Sequence, residues 1–163
     1  MTPAHADSFA RHGYLKLEGF HSKKLVGAIR QKVLDELKRL GMSADGKRLP
    51  KARQGLPVFQ QIGRLSGLVN VPGLHGALVT PELIDCVTRL GGRAPSAVQE
   101  TQLLLSPSHQ GDWSLQGLNW HVDVTARPRD PLPGIQAFFL VDDVAPRGGA
   151  TLTLSGSHRI DSQ

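Results

Sequence analysis

Residues 118–124 read Leu-Asn-Trp-His-Val-Asp-Val. Apolar and polar side chains alternate along this stretch, which predicts a β-strand, because successive residues of an extended chain point to opposite faces. On such a pleat Asn119, His121 and Asp123 share one face, while Leu118, Trp120, Val122 and Val124 share the other. The apolar face is expected to pack on the rest of the protein and the polar face to line a cavity. An imidazole and a carboxylate on an inner face are costly there unless they are paired or metal-bound. Both are good ligands for Fe(II), and two histidines with one carboxylate form the usual cage of non-haem Fe(II) oxygenases. His121 and Asp123 are therefore the candidate metal ligands. The competing reading is a surface strand whose His and Asp share a hydrogen bond.

The neighbouring sequence has the same texture. Segments 97–105 (AVQETQLLL), 135–144 (IQAFFLVDDV) and 150–157 (ATLTLSGS) are predicted strands, separated by loops over 106–117 and 125–134. Earlier in the chain, YLKLEGF (14–20) predicts another short strand. Ser22 then caps a helix over about 23–40, with Leu25, Val26, Ile29, Val33, Leu34, Leu37 and Leu40 on one face and Gly41 just past its end. Residues 42–57 are polar and basic and predict a surface loop, and 58–65 fit either a short strand or a helical turn. Thr80-Pro81-Glu82 starts a second helix with apolar Leu83, Ile84, Val87 and Leu90, ended by Gly91-Gly92. Helices first and antiparallel strands after them make an α+β layout, with a sheet sandwich or barrel.

The 163 residues suit one domain, 1–163, with a helical part over about 1–95 and a β part over about 96–163. At 39% hydrophobic and 20% charged residues, the composition is globular rather than disordered. No apolar run reaches the ~18 residues of a membrane span, and the N-terminus has no apolar signal core. Cys86 is the single cysteine, which excludes a disulfide framework and a cysteine-based zinc site. A cytoplasmic location is expected. The net charge of +5 is spread along the chain and aromatics are 5%, too few for a base-stacking platform, so nucleic acid is not the expected partner. A small anionic substrate suits that charge equally well.

Read together, WHVD (120–123) and GIQAFFLVDDVAPRGGATLTLSGSHR (134–159) resemble the phytanoyl-CoA dioxygenase family of Fe(II)/2-oxoglutarate oxygenases. The order is that of the family: a W-H-x-D strand, a hydrophobic strand ending in an acidic pair, a glycine-containing turn, and a G-[ST]-H-[RK] element. FARHGYLKLEGF (9–20) is similar to the family's opening strand, and LVTPELIDCVTRLGG (78–92) to its helix before the barrel. The resemblance implies N-terminal helices packed on a double-stranded β-helix core of the jelly-roll or cupin-like kind, with about the first half of that core present. It implies Fe(II) held by His121 and Asp123, 2-oxoglutarate as cosubstrate, and hydroxylation of a small or acyl substrate with release of succinate. Pleat and resemblance together give further pocket candidates: Gln136 and Phe138, which share a face of the 135–144 strand with Leu140, with Phe138 and Gln102 where the family flanks the cosubstrate, and Arg64 as a cationic group at the mouth.

The family's second iron-binding His and its 2-oxoglutarate-binding Arg fall after the G-[ST]-H-[RK] element, beyond residue 163, so the chain reads as a C-terminally shortened member. His158 and Arg159 occupy a structural turn in the family, and His109 lies in the loop before the metal strand. His5, His12, His21 and His75 are expected at surfaces or caps, and Asp142 and Asp143 as an acidic pair at a strand end. A half-core would leave open sheet edges, hence an expected tendency to self-associate. Two other readings stand beside this one. The first is a truncated or degenerate member that binds metal or ligand without catalysis, and the second is a basic, non-enzymatic binding module.

Overall fold

The computed structural model describes residues 1–42, 67–104, 120–123, 132–144 and 151–160. Among the described residues four α-helices follow one another: α1 (Pro3–His12), α2 (Lys23–Arg39), α3 (Leu74–Leu78) and α4 (Pro81–Gly91), and a 3₁₀ turn at Ser157–Arg159 comes last.

Each long helix is started and stopped by its own residues. In α2 the Ser22 hydroxyl accepts the Leu25 N–H at 3.2 Å, satisfying one of the donors that a helix start leaves open. At the other end Gly41 adopts φ 70°. Its N–H donates to Lys38 O at 3.0 Å, and the next N–H, of Met42, reaches back to Leu37 O at 2.9 Å. This pair of bonds is the Schellman closure, and only glycine adopts its left-handed residue without strain. Met42 and Leu37 are both buried in the same cluster, as that motif favours. α4 begins on Thr80, whose hydroxyl accepts the Leu83 N–H, with Pro81 at its first position and Gly92 at its end. α1 uses the same start. The Thr2 hydroxyl accepts from His5 N–H, and the Thr2 N–H donates to His5 Nδ1, both at 3.4 Å.

The core lies along α2. Ile29, Val33 and Leu37, spaced four apart, are buried against Met42, Val69, Val71, Leu74 and Leu78. Burying an aliphatic side chain of this kind contributes roughly 1.5–3 kcal/mol. Leu103, Phe139 and Val141, from two segments far along the chain, pack on the same cluster. α1 lies against α4, and the buried Cys86 thiol of α4 sits 3.6 Å from Met1 Sδ. No helix among the described residues is long and apolar enough to cross a membrane.

The α+β expectation, with its double-stranded β-helix core, is overturned: the described residues form helices and no strand. Segments 14–20, 97–104, 120–123, 135–144 and 151–157 all lack a sheet ladder. Alternation dictates which side of an extended segment meets the core, but a strand also requires a neighbour to take up its N–H and C=O groups. Segment 135–144 illustrates the distinction. Phe139 and Val141 rest on the helical core while Phe138 and Leu140 stay exposed, yet no strand pairs with them. In the stretch that predicted the strand, Trp120 and Val122 are 54% and 63% exposed, so the described half of the apolar face expected to pack on the helices does not, and Leu118 and Val124 lie outside the described residues. The described residues likewise contain no sheet edge of the kind on which the expected self-association depends. Residues 43–66, including the expected 42–57 loop beyond Met42 and the ambiguous 58–65, lie outside the described residues.

Candidate metal centre

Segment 135–144 is held by its inner side chains and by its end. Phe139 and Val141 sit on the core, and the Asp142 carboxylate meets Arg30 of α2 at 3.0 Å. Arg30 holds that carboxyl below its ordinary range, helped by the Asp143 N–H. With the odd-numbered side chains at 139 and 141 turned inward, Gln136, Phe138 and Leu140 are exposed. Gln136 then reaches the candidate ligands, its Nε2 donating to Asp123 Oδ2 at 2.6 Å. The other carboxylate oxygen, Oδ1, stands 3.5 Å from His121 Nε2, and the His121 and Asp123 side chains are 65% and 54% exposed.

That separation is too long for a good hydrogen bond but suits two donors on one ion. Metal–donor bonds of about 2.1 Å place adjacent donors about 3.0 Å apart in an octahedron and about 3.4 Å apart in a tetrahedron. Imidazole nitrogen and carboxylate oxygen are also ligands that Fe(II) accepts. His121 and Asp123 therefore fit the role in geometry and in donor chemistry. Among the described residues no group of three His, Cys, Asp or Glu side chains converges, so this set supplies two protein donors.

Three of the predicted site residues, His121, Asp123 and Gln136, thus come together. Gln102 and Phe138 are exposed, and among the described residues neither is joined to that group by a hydrogen bond or ring contact. Arg64 and His109 lie outside the described residues.

The remaining histidines have other partners or settings. His158 Nε2 donates to Ala10 O at 3.1 Å, and Arg159 Nη2 donates to the same carbonyl at 2.7 Å. Both side chains therefore close the C-terminal end of α1, where exposed carbonyls and the helix dipole favour cationic donors. His12 Nδ1 lies 2.9 Å from Ser155 Oγ, and Gly156 N–H donates to His12 O at 2.9 Å. His75 Nδ1 accepts the Thr101 N–H at 3.2 Å, and His5 caps α1. His21 differs from the surface or cap role expected of it. Its Nε2 is buried without a hydrogen-bond partner among the described residues, and its ring stands edge-on to Phe20 and tilted against Phe139, with centroids 5.0 and 5.2 Å apart.

Two features lay outside the sequence reading. α1 was signalled by Thr2-Pro3, the same pair that marks α4 at Thr80-Pro81. The clasp on α1 joins residues 143 to 149 positions apart, and no local pattern announces it. No family model, curated protein or solved structure matches the chain.

Proposed function

We propose that this protein is an Fe(II)/2-oxoglutarate-dependent dioxygenase of the phytanoyl-CoA dioxygenase type, a hydroxylase of a small or acyl substrate, with His121 and Asp123 as iron ligands. The observation that carries this reading is the pairing of His121 Nε2 and Asp123 Oδ1 at 3.5 Å on a solvent-open face. The order of WHVD, FFLVDD and GSHR along the chain supports it. When bound, ferrous iron would activate O2, one oxygen atom going into succinate as 2-oxoglutarate loses CO2 and the other into a substrate C–H bond to give C–OH.

The chain's own residues bind and orient. Asp123 presents Oδ1 and contributes one negative charge, which offsets half the charge of a divalent ion. His121 presents Nε2 beside it, and the exposed faces of both leave room for a small anionic cosubstrate, which the net charge of +5 favours. Asp142 is taken up by Arg30 and is not a ligand. A cytoplasmic setting belongs to this proposal, since ferrous iron and the lone Cys86 thiol both suit a reducing compartment.

A second reading, binding of metal or ligand without catalysis, is favoured by the count of two protein donors among the described residues. Anaerobic Fe(II) titration of the wild type and of His121→Ala tests the site. The wild type is expected to bind and the variant to lose tight binding, and equal binding by the two rejects the assignment. Succinate formation from 2-oxoglutarate then separates the two readings, because only the oxygenase produces it.

A further inference from the structure

The geometry points to Gln136 as the positioning residue of this centre: its amide holds Asp123 so that one carboxylate oxygen is committed to Gln136 and the other is turned to the metal beside His121. The inference rests on the reading of His121 and Asp123 as metal ligands.

An ionised carboxylate only accepts hydrogen bonds. The amide nitrogen of Gln136 must therefore face Asp123, and it does so at 2.6 Å from Oδ2. A carboxylate on an exposed side chain otherwise rotates freely and offers either oxygen. With Oδ2 engaged, rotation about the Cβ–Cγ bond is restrained, and Oδ1 remains at 3.5 Å from His121 Nε2. Ligating carboxylates in metal sites are commonly hydrogen-bonded in this way, and the bond fixes which oxygen ligates.

Gln136 is itself fixed from the far side of its segment. Phe139 and Val141 are packed on the α2 core, and Asp142 is tied to Arg30. The centre is thus joined to the helical core through Gln136, across 13 residues of sequence from Asp123. Neither residue of the H-x-D pair is itself in that core.

Co(II), whose visible absorption reports its ligand geometry, is the probe that tests this assignment. Titrations compare the wild type, His121→Ala, and Gln136→Met, which keeps the side-chain length but has no donor. Gln136 is exposed, so the Met variant is expected to melt with the wild type. It should bind Co(II) about 10- to 100-fold more weakly, with a changed visible spectrum at saturation. Wild-type affinity and an unchanged spectrum for Gln136→Met, alongside loss of binding in His121→Ala, would overturn the role of Gln136 and leave the metal site standing. Co(II) binding no tighter in the wild type than in His121→Ala would overturn the site and the role of Gln136 together.

Discussion

Gly13 is the residue on which the closure of α1 turns. It ends the helix at φ 78°, and a Cβ placed there would lie 2.4 Å from His158 Nδ1. Alanine at this position has two separable costs. The left-handed backbone costs about 1–2 kcal/mol for any residue with a Cβ. The contact in addition forces the His158 ring off the Ala10 carbonyl. Gly13→Ala is therefore expected to lower the melting temperature by at least about 2–8 °C for a chain of this size. The double variant Gly13→Ala/His158→Ala should lose less than the sum of the two single changes, because the contact is then gone and only the backbone cost remains. Thermal melts of the three variants check both statements; strict additivity would count against the contact. At the same scale the candidate site was partly legible. His121 and Asp123 were singled out by their i, i+2 spacing, on a face expected to line a cavity that is instead largely exposed, and Gln136 was set by alternation on a face with Phe138 and Leu140. Gln102 was set near the cosubstrate by resemblance and Phe138 by alternation and resemblance together, and nothing in the spacing of a single chain dictates which distant residues meet.

Among the elements, α2 and α4 could be read from sequence nearly to the residue, because their starts and stops are local. A cap hydroxyl, a proline at the first position and a glycine past the end all act within four residues of the terminus. Ser22→Ala is accordingly expected to destabilise the protein by about 1 kcal/mol, seen as a lower denaturant midpoint at unchanged slope; a midpoint equal to the wild type would show that the cap adds nothing to α2. The extended segments were a different problem. Alternation does separate two sides in 135–144, where Phe139 and Val141 meet the core while Phe138 and Leu140 stay exposed, but in 120–123 the side expected to pack, Trp120 and Val122, is exposed. Pairing is a property of two segments, however, and a periodic pattern in one of them does not specify the second. The five expected strands failed for that reason, and the fold class failed with them.

For the whole molecule, the charge arrangement sets how stability varies with pH. Among the described residues four carboxyls sit below their ordinary range: the exposed Asp142 beside Arg30, Glu82 bonded to Thr80 and Glu18 beside Lys16, and the half-buried Glu36 beside Arg39. Each folded-state value is lower than its unfolded one, so the unfolded chain binds protons first as the solution is acidified. The resulting stability is complete above the ordinary carboxyl values of 3.8 for Asp142 and 4.5 for the three glutamates. It is lost progressively as pH falls through and below them. The increments of Asp142, Glu82 and Glu18 are small because these groups are solvated. Melting temperature is expected to stay level from neutrality to about pH 5 and to decline below about pH 4.5, with a shallower decline for Asp142→Asn; a profile for Asp142→Asn identical to the wild type would remove the Arg30 pair from the explanation.

The clasp at the end of α1 also bears on the order in which the protein assembles. A ten-residue helix is too short to persist alone in water, and beyond its own Gly13 cap the groups that take up its last carbonyls, Gly156, His158 and Arg159, arrive from 144 to 149 positions away. α2, at 17 residues, is longer and carries the buried Ile29, Val33 and Leu37, so it is ready to nucleate early. α1 must await the return of nearly the whole chain, a contact of long sequence separation whose entropic cost falls before any reward is gained. The first helix in the sequence is, on this account, among the last to be secured.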